Sequence, residues 1–264
     1  MKDAPNTKPA VSGPDEGPGP AGSPPLLKFC GIRSSGDALL AESLGADLAG
    51  FIFHPGSPRH LTPSAAAAAD SGSLARVGVF VRQKAQEILE IMEEARLDLA
   101  QFHGPQTLKD ASAVGPGRVL RVIWPERHAS AGSLMAELSE WGGASRMFLF
   151  DAGLSGGGHG RAPGRGGAGG SAGGPLSFLE FAGKPSLLAG GLGPESLGNF
   201  PDPSGFRYLA GFDVNSGAES SPGVKDHGLM AQAASKARGI SVRGRGGLDR
   251  DSLRAPPRSG RSGP

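Results

Sequence analysis

Eight short apolar segments alternate with helix-like connections along the central part of this chain, and this alternation is the strongest constraint on its fold. The segments occupy residues 26–32, 48–53, 76–81, 97–104, 118–124, 146–152, 185–192 and 207–214. Strands joined by connections long enough to hold a helix pair in parallel. Eight such units in about 210 residues favour a closed (β/α)8 barrel over an open doubly wound sheet. We therefore predict one α/β barrel domain over residues 26–238.

The helical connections are clearest between the third and fourth segments. In "QKAQEILEIMEEAR", residues 83–96, the side chains of Ile88, Ile91, Met92 and Ala95 recur at the spacing of one helix face. The pattern therefore predicts an amphipathic helix that packs against the outside of the sheet.

The glycine and proline residues, 45 and 23 in number, are concentrated in three regions. Residues 1–25 and 239–264 contain few large apolar side chains, so we expect both to be disordered tails. Residues 152–174 form a glycine-rich stretch inside the predicted barrel. Since apolar segments flank it on both sides, we expect a long mobile loop after the sixth strand.

Composition excludes several classes of protein. A single cysteine rules out an internal disulfide framework and a multi-cysteine metal site, and it fits a reducing cytoplasm. The sequence has no signal-peptide pattern and no apolar run long enough to span a membrane. We expect a cytoplasmic monomer that binds a small molecule without a metal or cofactor. The arginines of residues 239–264 fit a solvated extension better than a nucleic-acid contact.

Polar side chains stand where the apolar segments end, which is where the active site of an α/β barrel lies. Cys30, His103, Asp151 and Asp213 end four of the segments, and Arg59 follows another. Three of these residues have a simpler structural interpretation. Asp151 does not, because burying a carboxylate after "MFLF" costs free energy unless the group is paired or functional. A lone cysteine is commonly a small core residue, a histidine before glycine can be a packed or capping residue, and Arg59 can pair with a surface carboxylate.

The alternation of side chains along a strand groups some of these residues. Lys28 and Cys30 share one face of the first strand, and Asp151 shares a face of the sixth strand with Met147 and Leu149. If both faces point into the barrel, the thiol and the carboxylate converge from opposite sides of the mouth. The ammonium group of Lys28 would favour the thiolate, the form that accepts a proton.

Glycines after the last two strands indicate a phosphate site. Gly190 and Gly191 stand between a strand and a proline-led helix start, although both can also be turn glycines. The segment that begins Asp213-Val214-Asn215-Ser216-Gly217 repeats the arrangement after the eighth strand. The loops that follow strands 7 and 8 are the common phosphate site of this fold.

Seven motifs in order resemble the phosphoribosylanthranilate isomerase family of tryptophan biosynthesis, over about residues 26–237. They are "KFCGIR", "GADLAGFIFHPGSPRHLT", "VGVFV", "LDLAQFHG", "FLFDA", "LLAGGLGPESL" and "FDVNSGAESSPGVKD". The resemblance implies a cofactor-free Amadori rearrangement of an aminoaldose to an aminoketose, with Cys30 as general base and Asp151 as general acid.

The resemblance also implies how the substrate is bound. Arg59 would pair with the anthranilate carboxylate. The phosphate would bind at Gly190, Gly191 and the backbone of Asn215, Ser216 and Gly217. From their places at strand ends, we also expect His103 and Asp213 to line the site. The family's glycine-rich turn after strand 6 has its nearest match at Gly157 to Arg161, so Gly158 and Gly160 are assigned to the phosphate within an expanded loop.

Two other functions are compatible with a barrel of this kind. Indole-3-glycerol phosphate synthase would need a lysine and a glutamate at strand ends, and no glutamate ends an apolar segment here. A non-catalytic phosphate-binding barrel with an interacting tail would not need both Cys30 and Asp151.

Overall fold

Eight parallel strands close into a barrel in the computed structural model of the chain, which describes residues 22–151 and 176–254. Each strand pairs with the next in the chain, and the eighth pairs with the first, so the prediction of a (β/α)8 barrel is confirmed. The strands are β1 (Leu26–Cys30), β2 (Leu48–Ile52), β3 (Ala75–Phe80), β4 (Leu99–Phe102), β5 (Val119–Ile123), β6 (Met147–Asp151), β7 (Ser186–Ala189) and β8 (Leu209–Val214).

Helices follow seven of these strands, and the described part of the connection between β6 and β7 holds a short 3-10 turn (Ser177–Glu180). The helices are α1 (Ser35–Ser43), α2 (Pro63–Ala68), α3 (Ala85–Glu94), α4 (Leu108–Val114), α5 (Ala131–Gly142), α6 (Pro194–Gly198), α7 (His227–Arg238) and α8 (Arg250–Leu253), the last two both after β8. Several begin after a capping residue whose side chain accepts a hydrogen bond from a backbone N–H group of the first turn, as with Ser34 before α1 and Thr107 before α4. The α3 helix buries Ile88 and Met92, as its spacing predicted. A short hairpin of β9 (Glu219–Ser221) and β10 (Val224–Lys225) follows β8.

Alternation along the strands separates two apolar layers. Residues such as Leu26, Leu120 and Leu149 belong to the cluster that fills the barrel, whereas Phe29 and Phe148 belong to the layer between the strands and the helices. The polar side chains that share the interior face therefore point toward the barrel axis, and those at the carboxyl ends of the strands reach its mouth.

The segment after α7 differs from the expectation that residues 239–264 are disordered. Val242 is fully buried and forms an antiparallel bridge with Ser23, and the Arg245 guanidinium donates to the Pro24 carbonyl oxygen at 2.9 Å. Composition alone suggested disorder because few of these residues are apolar. Val242 and Leu253 are buried against the barrel instead, and Ile240 and Leu248 are partly buried there.

Leu253, at the end of this segment, closes the amino-terminal end of the barrel. Its side chain is 1 % exposed and packs in the interior cluster with Leu26 and Ala75, the first residues of β1 and β3. The Arg250 guanidinium donates to Ser73 Oγ at 2.6 Å, and that of Arg146 donates to the Ser252 carbonyl oxygen at 2.7 Å. We call residues 240–254 the C-terminal plug.

Residues 1–21, 152–175 and 255–264 lie outside the described part of the chain. The predicted loop after β6, residues 152–174, lies entirely among them, and so do Gly158 and Gly160. Within the described ranges, no helix has the length and hydropathy that a membrane span requires.

Candidate active site

A buried ion pair lies beneath the mouth of the barrel. Lys28 on β1 is the register partner of Asp213 on β8, and its Nζ atom lies 2.9 Å from Asp213 Oδ1. Lys28 has no exposed surface and Asp213 is 7 % exposed. Burial acts to lower the pKa of Lys28, but the Asp213 carboxylate and the neighbouring Cys30 outweigh it, so the pKa is raised and the ammonium group stays charged.

Cys30, at the end of β1, lies directly beside this ion pair. Burial raises the pKa of the Cys30 thiol above its ordinary value, because desolvation disfavours the thiolate. The ammonium groups of Lys28 and Lys225 counteract part of that rise, and the Asp213 carboxylate adds to it. The Cys30 thiolate is therefore a strong base because it is buried, and two nearby ammonium groups stabilise its negative charge.

Gly50 leaves the space in which the thiol and the ammonium group meet. It is the register partner of Cys30 on β2, and a Cβ atom placed there would lie 2.8 Å from Cys30 Sγ and 3.0 Å from Lys28 Nζ. Contacts this short force a neighbour to move. A glycine inside a strand often marks such a close approach, so the sequence carried a signal for Gly50 that we did not use.

We expect Gly50→Ala to lower kcat by tenfold or more, because the added methyl group displaces the thiol from its position beside Lys28. Gly78→Ala on β3 is the matched control. Its added Cβ would meet Leu97 Cδ1 at 2.4 Å, among side chains of the outer apolar layer. Both variants should lose about 1–3 kcal/mol of unfolding free energy from overpacking, whereas only Gly50→Ala should lower kcat in a steady-state assay. Equal kcat in the two variants would contradict this role of Gly50.

Asp151 ends β6, as predicted, and belongs to the interior face. It is 7 % exposed, and its register partner is Ala189 at the end of β7. Two strands separate β6 from β1, so the carboxyl group and the Cys30 thiol approach the mouth from different parts of the barrel wall. A substrate seated between them can receive a proton on one side and lose one on the other.

Arg59 is held by a carboxylate that we did not assign to the site. Its Nε and Nη2 atoms donate to the two oxygens of Glu219, on β9, at 2.9 and 2.7 Å. Lys225 donates to Glu219 Oε1 and to Asn215 Oδ1, each at 3.0 Å. The hydrogen bonds that Arg59 donates to Glu219 raise the pKa of Arg59. Burial acts to raise the pKa of Glu219, but the two cations outweigh it and that pKa is lowered.

His103 follows β4 and faces the mouth as a neutral side chain. Burial, with a further contribution from Lys28 and other cations, lowers the pKa of its imidazole to about 4. Its Nδ1 atom lies 3.4 Å from Gln101 Nε2, and its ring meets that of Trp124 edge-on, with centroids 5.2 Å apart. At neutral pH this imidazole offers a hydrogen bond and apolar surface but no charge.

The glycine turns after β7 and β8 lie against each other. Gly190 and Gly191 have φ angles of 105° and 72°, in the left-handed region that favours glycine. A Cβ atom on Gly217 would lie 2.0 Å from the carbonyl oxygen of Leu192, so the two loops pack backbone to backbone. Backbone amides brought together in this way can bind an anion.

A metal site of carboxylate, histidine and cysteine ligands is not formed by the described residues. Within 22–151 and 176–254, no three or more such side chains are grouped so that they could hold a metal ion.

Comparison with known proteins agrees with this geometry. The family model for N-(5'phosphoribosyl)anthranilate (PRA) isomerase matches residues 27–236. The chain belongs to the PRA isomerase family. A family member from Desulfovibrio desulfuricans is 44 % identical over 217 residues, which is 79 % of this chain and 93 % of the relative. Another, from Maridesulfovibrio salexigens, is 39 % identical over 212 residues, covering 79 % of this chain and 96 % of the relative.

Solved structures of PRA isomerases share the barrel. The crystal structure from Thermus thermophilus is 34 % identical, with a TM-score of 0.65, and the alignment covers 80 % of this chain and 97 % of that one. A PRA isomerase in complex with reduced 1-(o-carboxyphenylamino)-1-deoxyribulose 5-phosphate is 26 % identical, with a TM-score of 0.62 and coverage of 81 % and 99 %. The C-terminal plug lies beyond the residues that the family model matches.

Proposed function

We propose that this PRA isomerase converts N-(5′-phosphoribosyl)anthranilate to 1-(2-carboxyphenylamino)-1-deoxyribulose 5-phosphate with Cys30 as general base and Asp151 as general acid. Family membership gives the reaction, an aldose–ketose isomerisation of tryptophan biosynthesis. The two roles rest on chemistry. The single observation that carries them is a buried thiol set beside the Lys28 ammonium group at the end of β1.

The reaction needs a proton delivered to the furanose ring oxygen, a proton removed from C2′, and a proton delivered to C1′. Asp151 donates a proton to the furanose ring oxygen, the bond from C1′ to that oxygen breaks, and the nitrogen lone pair forms a C1′ iminium ion. The Cys30 thiolate then removes the proton of C2′, and the electron pair of that C–H bond neutralises the iminium as an enolamine. Transfer of the C2′ hydroxyl proton to C1′ gives the ketone.

The phosphate group is proposed to bind where the glycine turns meet. Gly190 and Gly191 follow β7, and the backbone of Asn215, Ser216 and Gly217 follows β8. Lys225 supports this region because its Nζ atom donates to the carbonyl oxygen of Asn215 at 3.0 Å. The carboxylate of Asp213 is proposed to act through Lys28, to which it is bound, and the neutral His103 to line the aromatic end of the site.

We also propose that the enzyme is a monomer in a reducing cytoplasm. A catalytic thiol has to stay reduced. The large apolar side chains exposed among the described residues are few, and they lie on separate elements, as with Leu39 on α1 and Met135 on α5.

The pH dependence of turnover tests the role of the thiol. Because burial raises the pKa of Cys30, kcat/KM should still be rising with pH beyond about 8.5, the value of an unperturbed thiol. We expect kcat/KM to rise with pH because a base acts in its deprotonated form, and a raised pKa moves deprotonation of the thiol to higher pH. The assay generates the substrate in situ and follows the loss of anthranilate fluorescence. Absence of turnover would contradict the function, and a rising limb complete below pH 7 would contradict Cys30 as the base.

A further inference from the structure

The Glu219 carboxylate, on β9, is saturated with hydrogen-bond donors. Its Oε1 atom accepts from Arg59 Nε at 2.9 Å and from Lys225 Nζ at 3.0 Å. Its Oε2 atom accepts from Arg59 Nη2 at 2.7 Å and from the backbone amide of Gly223 at 3.4 Å. A carboxylate has about four acceptor positions, so all of them are in use. Glu219 therefore cannot turn toward a ligand without breaking a bond that it makes inside the protein.

The Arg59 guanidinium is bound by one edge. Its side-chain hydrogen bonds within the described ranges all go to Glu219, through the edge formed by Nε and Nη2. A guanidinium has a second edge, formed by Nη1 and Nη2, that can donate two parallel hydrogen bonds to another carboxylate. The Arg59 side chain is 11 % exposed, against 3 % for Glu219 and 1 % for Lys225, so it is the accessible member of this cluster.

The cluster of Arg59, Glu219 and Lys225 carries one positive charge in excess, because two cations share one carboxylate. A ligand that brings one negative charge to the second edge of Arg59 would balance the cluster. A carboxylate has both the charge and the planar shape that this edge requires.

Gly31 places Arg59 next to the proposed base. It directly follows Cys30 and has a φ angle of 72°. A Cβ atom on Gly31 would lie 2.8 Å from Arg59 Cδ and 2.7 Å from Asn215 Oδ1. The stem of Arg59 therefore packs on the backbone that follows the thiol, beside the turn to which we assign the phosphate.

The hairpin that carries Glu219 packs on the loop that carries Arg59. Gly223, at the turn of the hairpin, has a φ angle of 85°, and a Cβ atom there would lie 2.6 Å from the carbonyl oxygen of Pro58. Arg33 Nη1 donates to the Gly223 carbonyl oxygen at 3.3 Å. Contacts this close fix the two loops relative to each other, so Glu219 holds Arg59 from a well-supported position.

We infer that Glu219 is a positioning residue, which directs the second edge of Arg59 at the carboxylate of the anthranilate group, and that Lys225 holds Glu219 in turn. This inference rests on the proposed function, because the ligand is the substrate of that reaction. Arg59 contacts the substrate, whereas Glu219 acts through Arg59. Without Glu219 the guanidinium keeps its charge and loses its fixed orientation.

The sign of the effect on binding distinguishes this role from simple charge neutralisation. If Glu219 only neutralises the cations, Glu219→Gln leaves two uncompensated positive charges, and a carboxylated ligand binds more tightly. If Glu219 positions Arg59, the same variant binds that ligand more weakly in spite of the added positive charge.

Two ligands that differ only in the carboxylate provide the measurement. One is reduced 1-(2-carboxyphenylamino)-1-deoxyribulose 5-phosphate, and the other is its phenylamino counterpart without the carboxylate. Calorimetry on the full chain gives both dissociation constants, and their ratio is the preference for the carboxylate. Both ligands carry the phosphate, so an effect on phosphate binding through Lys225 and Asn215 cancels in this ratio.

We expect Glu219→Gln to reduce the preference about tenfold, within the range for hydrogen bonds to a charged group. Glu219→Asp keeps the charge but is one methylene shorter, so it should reduce the preference in the same direction, and it carries the test if Glu219→Gln does not fold. Glu137→Gln is the matched control, because Glu137 also pairs with an arginine and a second basic side chain, Arg121 and His128. It should keep the wild-type preference.

A double-mutant cycle tests whether Glu219 acts through Arg59. Arg59→Met should reduce the preference by about 10- to 100-fold. Adding Glu219→Gln to Arg59→Met should change the preference no further, because no guanidinium is left to position. If the two effects multiply instead, Glu219 acts independently of Arg59 and the inference is wrong.

Other outcomes separate the inference from the function. A wild-type or higher preference in both Glu219→Gln and Glu219→Asp would overturn the inference, and so would a wild-type preference in Arg59→Met. In either case the function stands if the wild-type protein turns over the substrate. Wild-type protein that binds neither ligand and shows no turnover would contradict the proposed function itself.

Discussion

Cys30→Ser should lower kcat by about 10²–10⁴-fold while leaving the fold intact, because it replaces the base that removes the C2′ proton with a hydroxyl group of almost the same size. Cys30 is 3 % exposed and contacts Ile52 and Val79, so the side chain has little space to move and the change in volume is small. Steady-state kinetics measures kcat, and thermal unfolding checks that the melting temperature changes little.

Asp151→Asn should produce a loss of the same order through the other proton transfer, since an amide cannot protonate the ring oxygen. The double variant should be little slower than the slower single variant, because residues that act as a unit are not additive. His128→Gln, which removes a contact with Glu137 on α5, is the control and should keep wild-type kcat. Full activity in either single variant would contradict the proposed roles.

Lys28→Met should lower the unfolding free energy by about 3–5 kcal/mol, the cost of leaving one partner of a buried ion pair without the other. The Lys28 side chain is fully buried, and Asp213 Oδ1, 2.9 Å from its Nζ atom, would lose this ion-pair partner. Denaturant unfolding at neutral pH measures the effect.

The double variant Lys28→Met/Asp213→Leu separates stability from catalysis. Replacing both charges with apolar side chains should recover most of the lost unfolding free energy. It should not recover kcat/KM, because the thiol still lacks the ammonium group that favours its charged form. Recovery of both quantities would mean that Lys28 acts only through the fold.

The barrel could be predicted from the sequence because each strand is a local feature. An apolar run such as "MFLFDA" indicates a strand without knowledge of its neighbours, and eight of them with helical connections leave few topologies. Period-two alternation also placed Lys28 and Cys30 on one face, and the short distances of both to the position of Gly50 confirm it. The sequence therefore predicted those parts of the site that depend on the residues of a single strand.

The pairings in the site could not be predicted, because they join residues that are distant in the chain. Arg59 and Glu219 are 160 residues apart, and no local pattern links a residue after β2 to one on β9. Trp124 was visible only as the last residue of an apolar run. Its Nε1–H group, which is buried with no acceptor among the described residues, is a property of the folded chain and not of the sequence around it.

The C-terminal plug adds to the dependence between distant parts of the chain that barrel closure already creates. Strand β8 pairs with β1, and the Lys28–Asp213 ion pair joins residues that are 185 apart in sequence. The plug makes a second closure of similar length, between Arg250 and Ser73, 177 residues apart. Because Leu253 packs on Leu26 and Ala75 in the interior cluster, loss of the plug would expose apolar surface at the amino-terminal end of the barrel to water. The stability of this barrel therefore depends on a segment that lies outside the residues the family model matches.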